Sequence, residues 1–166
     1  DAEVDIPAGV SAIDSHAFSD ATLRTVRIPA SVRRIDNEAF YGTGMGEIIF
    51  QDDEAAPSEL AELGSRVFSN TNVQTLTLPR SLVTINRDAF VDMSKLTSVH
   101  LGPKVAADQL VGSFANNPEL ARIQVDAGNP NYESLDGVLY TRDHTHLIAY
   151  PAAKNAGGAY TVVSGT

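Results

Sequence analysis

One phrase recurs along this chain, and its period constrains the fold more than any other feature. A phenylalanine closes each copy: Phe18, Phe40, Phe68, Phe90 and Phe114, at steps of 22, 28, 22 and 24 residues. Alanine or valine precedes four of them (Ala17, Ala39, Val67, Ala89), and an aliphatic residue stands five before (Ile13, Ile35, Leu63, Ile85). Another apolar residue follows each ring (Leu23, Met45, Val73, Leu96, Leu120). Then comes a pair spaced by two: Val26/Ile28, Ile48/Phe50, Leu76/Leu78, Val99/Leu101 and Ile123/Val125. Self-similarity at a period of roughly 20–30 residues marks a solenoid, in which each unit buries its apolar face only against its neighbours.

The second copy shows how one unit is built. Val26 and Ile28 share one side of a strand, leaving Thr25 and Arg27 on the other. Pro29 ends that strand because it has no N–H for the next ladder bond. Val32 and Ile35 turn inward on the return path, and Asp36 is expected to cap a short helical turn carrying Ala39 and Phe40. The same order returns at Leu76–Phe90 and at Val4–Phe18.

Two places break the period. Six residues more separate Phe50 from Leu60 than Ile28 from Val32, and they make an acidic loop over 51–57. After Val125 a turn-rich segment leads to a strand at Asp136–Tyr140, a polar turn at Thr141–Thr145 and a second strand at His146–Tyr150, stopped by Pro151. This pattern predicts a β-hairpin insertion over about 126–151. Val138, Tyr140, Leu147 and Tyr150 are expected to anchor it. Residues 157–163 read as the strand of a further unit. Residues 1–166 are therefore expected to form a single solenoid domain of about six units, truncated at both ends. With Asp1 at its start and no basic-then-apolar leader, the chain reads as a mature or excised segment, and with no evident polar capping unit at either end it is expected to belong to a longer solenoid.

Composition narrows the partners. Apolar residues make up 43% and charged residues 20%, as in an ordinary folded protein. A net charge of −9 disfavours nucleic acid and anionic bilayers, which demand a basic footprint. The absence of cysteine removes disulfides, thiolate metal sites and cysteine nucleophiles.

The phrases Ile28-Pro-Ala-Ser-Val-Arg-Arg-Ile-Asp-Asn-Glu-Ala-Phe40, Leu78-Pro-Arg-Ser-Leu-Val-Thr-Ile-Asn-Arg-Asp-Ala-Phe90 and Ile6-Pro-Ala-Gly-Val-Ser-Ala-Ile-Asp-Ser-His-Ala-Phe18 resemble the BspA-like class of leucine-rich repeat. The stretch from Asn129 to Lys154 resembles the hairpin insertion common in that class. The resemblance implies a β-rich α/β solenoid: a right-handed superhelix with one parallel sheet, short helical turns and a β-hairpin insertion. It also implies an exported bacterial surface protein engaged in adhesion or protein binding. It offers no shared catalytic residues, and no cofactor, to carry over.

Motifs suggestive of chemistry have plainer readings. His144 and His146 are two apart, but a zinc site needs about three or four converging ligands and no third stands nearby. His16 occupies the place of Glu38 and Asp88 in sister units. Gly42-Thr-Gly44-Met-Gly46 lacks the Lys-Ser/Thr of a phosphate-binding loop and falls at a turn. Asp52-Asp53-Glu54 does not have EF-hand spacing. No nucleophile elbow frames the serines.

What remains is the outward side of the strand column. Beside Glu3 and Asp5, it presents Thr25, Arg27, Glu47, Ile49, Thr75, Thr77, Ser98, His100, Arg122 and Gln124. Stacked at ~4.8 Å, these residues make a continuous concave surface, the expected ligand-binding face. The leading expectation is a non-enzymatic interaction module that takes a protein or glycan ligand at the bacterial cell surface. The alternative is a structural spacer displaying other domains there.

Overall fold

The structure is a computed structural model that describes residues 2–106, 110–154 and 158–162. The chain winds as a parallel-sheet β-solenoid of about six turns, and each coil contributes one long and, in the first four, one short strand. The long strands are β1 (Ala2–Asp5), β3 (Leu23–Ile28), β5 (Glu47–Phe50), β7 (Thr75–Thr77), β9 (Ser98–Leu101) and β10 (Arg122–Val125). The short ones are β2 (Ala12–Ile13), β4 (Arg34–Ile35), β6 (Glu62–Leu63) and β8 (Thr84–Ile85).

The short strands pair in one unbroken parallel ladder, with Ile13, Ile35, Leu63 and Ile85 in register and buried. The long strands do not. The expected single sheet is divided into β1-β3-β5 and β7-β9-β10, with no ladder bonds between β5 and β7. The cause is the long third unit, whose additional residues carry the chain outward after Phe50. There the Asp52 carboxylate accepts hydrogen bonds from the backbone N–H of Ser58 (3.1 Å) and of Arg80 in the next coil (2.9 Å). A side chain thus ties the coils where the backbone ladder stops. Asp53 likewise accepts from the N–H groups of Ala55 and Ala56, so the acidic loop is held by its own carboxylates.

The third side of each coil replaces the expected short helical turn. Among the described residues there is no helix. Instead, tight turns follow one another: the Ala17 N–H donates to Asp14, the Ser19 N–H to His16 and the Ala21 N–H to Phe18. The alternate N–H groups of His16, Phe18 and Asp20 reach across to the carbonyls of Asn37, Ala39 and Tyr41 at 3.2, 2.8 and 2.8 Å. Those of Glu38, Phe40 and Gly42 repeat the pattern onto Ser65, Val67 and Ser69. A helix would spend these donors on itself; here they bind coil to coil. Asp36 is not a helix cap: its carbonyl accepts from Ala39 N–H and its carboxylate pairs with Arg34 at 3.3 Å. The geometry requires φ > 0 four residues apart in each coil, at His16 and Asp20, Glu38 and Gly42, Arg66 and Asn70, Asp88 and Asp92, and Gly112 and Asn116. Gly64 serves a different need, because a Cβ there would stand 2.5 Å from the Asn37 backbone nitrogen.

Inside, the phenylalanines stack along the axis. Phe18 and Phe40 lie 5.1 Å apart and 8° from parallel, Phe40 and Phe68 6.1 Å, and Phe90 and Phe114 5.4 Å. Phe40, Phe68, Phe90 and Phe114 are buried. Phe18 is only half-buried, against the expectation for all five, because among the described residues its ring stacks on Phe40 alone.

Beyond Val125 the expected hairpin is a three-stranded meander of β11 (Tyr132–Leu135), β12 (Val138–Thr141) and β13 (Leu147–Ala149). Asp136 and Gly137, both at positive φ (51° and 80°), make the turn between β11 and β12 instead of opening a strand. Val138 and Tyr140 are buried as expected, but Leu147 and Tyr150 are exposed. Tyr132 and Leu139 are the further anchors. The register slips by one between Leu139 and Tyr140, so alternation no longer reports which side chains face inward. Buried Asn129 fastens the meander: its amide donates to the carbonyls of Gly102 and Val105, and its oxygen accepts from Asn131 and Tyr132 N–H. Residues 158–162 carry no strand, and 157 and 163 of the expected further strand lie outside the described residues.

Candidate functional site

The exposed side of the long-strand ladder brings the expected residues together in two groups. In the first, β3 pairs with β5 so that Thr25 faces Glu47 and Arg27 faces Ile49. In the second, β7, β9 and β10 align Thr75, Ser98 and Arg122 in one row and Thr77, His100 and Gln124 in the next. Eight of the ten are exposed; Thr25 and Ser98 are buried, at 5% and 9%. Both sit on the middle strand of their sheet, where longer neighbours overhang them: the Glu47 carboxylate accepts from the Thr25 hydroxyl at 3.4 Å. Neither offers a contact surface.

The two groups differ in what their charges already do. Arg27 donates to Asp5 at 3.0 Å and to Glu3 at 3.5 Å, and Arg24 also pairs with Glu3. Ile49, 38% exposed, stands as the apolar centre between these charges and the gap beside β7. In the second group, His100, Arg122 and Gln124 make no side-chain hydrogen bond or ion pair among the described residues.

The meander adds residues that sequence reasoning did not assign to a site. It folds back on β10, with the Ile123 N–H donating to the Gly137 carbonyl at 2.8 Å and the Ser134 hydroxyl to the Ile123 carbonyl. The result is a groove of about 560 Å³ whose walls include Arg122, Gln124, Ser134, Asp136, Gly137 and Lys154. Lys154 is the unusual member: its side chain is 8% exposed, its ammonium donates to Asp136 at 2.8 Å, and it lies 5.4 Å over the Tyr160 ring. Burial and the neighbouring Tyr140 hydroxyl push the Tyr160 phenol up to about 12, so it stays neutral and supplies Lys154 with no counter-charge. Arg122 and Gln124 were legible from the strand column. Lys154 was not, because it lies about 30 residues further on and no local pattern marks its return.

The histidines do not converge. His144 Nε2 meets the Glu133 carboxylate, whereas His146 Nδ1 faces the Thr145 hydroxyl at 2.9 Å. Among the described residues no group of three or more His, Asp or Glu side chains is placed to hold a metal ion. In the Gly42–Gly46 segment, Gly42 and Gly44 adopt positive φ in a turn, and the Gly44 carbonyl accepts from the Asn72 amide. At the meander tip, the Thr141 hydroxyl, then the Thr145 N–H and hydroxyl, hold the Asp143 carboxyl down to about 2. No helix among the described residues is long and apolar enough to cross a membrane.

Comparison with known proteins agrees with this architecture. No curated protein sequence matches the chain. Among solved structures, it is similar to the pneumococcal vaccine antigen PcpA (26% identity, TM-score 0.71), covering 92% of this chain and 47% of that one. A leucine-rich repeat protein of Treponema pallidum gives 29% identity and TM-score 0.64, over 73% of this chain and 57% of that one. One from Eubacterium ventriosum shares the fold at 22% identity and TM-score 0.76, over 92% and 39%. The chain thus spans about half the length of these relatives. The sequence profile of the BspA type leucine rich repeat region, in six copies, matches residues 2–107, and the chain belongs to that family.

Proposed function

We propose that this chain is a non-enzymatic protein-interaction module of an exported bacterial surface protein, binding its ligand across the exposed ladder face. The observation that carries this reading is the registered set of exposed side chains over β7, β9 and β10, with Thr77, His100, Arg122 and Gln124 uncommitted to charge partners among the described residues. A spacer needs only a wet face, and the paired charges over β1 and β3 are what such a face looks like. The likeness to a vaccine antigen and to other bacterial leucine-rich repeat proteins supports a place at the cell surface.

Capture of host or matrix proteins by the isolated chain, compared with an Arg27→Ala/His100→Ala/Arg122→Ala variant, tests the proposal. The expected result is loss of capture with an unchanged circular dichroism spectrum, because these side chains point away from the core. Equal capture by the folded variant moves the ligand elsewhere, and capture of nothing favours the spacer. Turnover of a substrate by the isolated chain would sink the non-enzymatic reading.

A further inference from the structure

We infer that the groove between β10 and the meander is an anion site that takes a carboxylate side chain of an acidic peptide segment lying along the ladder face. The inference rests on the reading of that face as a binding surface and names what its C-terminal end recognises. An ammonium carries three donors; Lys154 gives one to Asp136 and turns its charge toward the π-face of Tyr160, leaving capacity for another acceptor. Its side chain is more than nine-tenths buried, so its position is set by packing. Desolvation raises the worth of a second anion beside it.

Arg122 supplies the second cation. Its guanidinium has no acidic partner among the described residues, and a planar fork suits a carboxylate. Gly137 brings the turn backbone against it: a Cβ there would stand 2.9 Å from the Arg122 Cβ, so the arginine stem is held along the groove wall. Two cations therefore face one carboxylate, Asp136, which is 76% exposed and free to be shared or displaced. In a chain of net charge −9 this local excess of positive charge is a reversal, and it opens onto the neutral row of Thr77, His100 and Gln124. An extended acidic peptide fits both: its carboxylate enters the groove and its backbone lies over the polar row.

The test uses the whole chain, 15N-labelled, titrated with a capped Ser-Glu-Gly-Glu-Ser peptide, its Gln counterpart and inorganic phosphate, at low and high salt. The expected result is saturable movement of the Gln124, Asp136 and Gly137 amide signals with the Glu peptide. Binding should weaken about tenfold or more with the Gln peptide or in Arg122→Gln. Asp136→Asn, which removes the competing carboxylate, should tighten binding; a purely structural Lys154–Asp136 pair gives the opposite. Equal binding of Glu and Gln peptides, competition by phosphate at equal concentration, or silence at saturating Glu peptide would each overturn the inference. If capture of a host protein is lost in the ladder-face variant while the Glu peptide remains silent, the groove is wrong and the interaction module stands. A groove response with capture unaffected by the ladder-face variant leaves the groove and removes the wider reading.

Discussion

The two halves of the ladder face share one backbone plan and use their charges in opposite ways. Over β1, β3 and β5, Arg24 and Arg27 are taken up by Glu3 and Asp5 on the neighbouring strand. Over β7, β9 and β10, Arg122 makes no ion pair among the described residues, and it lines one groove with the buried side chain of Lys154. Cross-strand pairing in the first half cancels the field a ligand would feel and contributes only about 0–1 kcal/mol per exposed pair. The second half keeps its field by leaving Arg122 unpaired among the described residues. The difference teaches that on a repeating scaffold the informative charge is the unpaired one.

The largest effect should come from the core shared by both halves. Phe40→Ala removes a ring stacked on both sides and should cost about 3–5 kcal/mol in urea unfolding. If the two halves are one cooperative body, the loss appears in a single transition seen equally by probes in each. A separate, unshifted transition for the second half would break the comparison into two independent folding units.

Next is Asn129→Ala, which acts on the second half alone. It removes the acceptor of the Asn131 and Tyr132 N–H groups and the amide that donates to the carbonyls of Gly102 and Val105, leaving Val105 only its bond from the Asn131 amide, and should cost about 2–3 kcal/mol. Faster hydrogen exchange across β11–β13, with β1–β5 unchanged, is the measurement. The groove depends on that clamp, so the response to the Glu peptide should fall with it.

Sequence reasoning found the coil register because Phe, Ala and the paired aliphatics return at fixed offsets, which tertiary contact has little freedom to override. It missed β11, although Asp136-Gly137 between Ser134-Leu135 and Val138-Leu139 is the Asp-Gly turn of a tight hairpin. By its apolar pattern Asp136–Tyr140 reads as one strand, which absorbs the turn. The helical turn expected after Asp36 failed for a different reason. Alternating N–H groups are claimed by the next coil, and no property of one unit reports that. Of the site, the strand column was legible by parity, while the burial of Thr25 and Ser98 depends on the length of side chains on the strands paired to either side.

A smaller contrast separates Arg27→Ala from Arg122→Ala. Each should change stability by no more than about 1 kcal/mol in thermal unfolding. Only the second should weaken Glu-peptide binding, and Arg27→Ala, by freeing Glu3 and Asp5, should make the first half more repulsive to it. Equal effects on binding would erase the distinction between the halves.

The least effect concerns the meander tip. The folded-state pKa of Asp143 is depressed, so its contribution is present above the ordinary carboxylate range and is lost as pH falls through about 2. An NMR titration should find its carboxyl still ionised near pH 3, with the Thr145 amide signal moving only below that. Ordinary titration near pH 4 would show that the Thr141 and Thr145 contacts do not hold in solution.

The coil-to-coil bonds have a mechanical meaning. On all three sides of the solenoid, the backbone hydrogen bonds that join neighbours run along the axis, and so does the stack of rings. Tension applied end to end loads these contacts one coil after another instead of shearing many at once. Each released coil of some 22 residues lengthens the chain by about 75 Å. Under a steady pull such a molecule gives way in steps, lengthening as it yields, like a tether with slack folded into it.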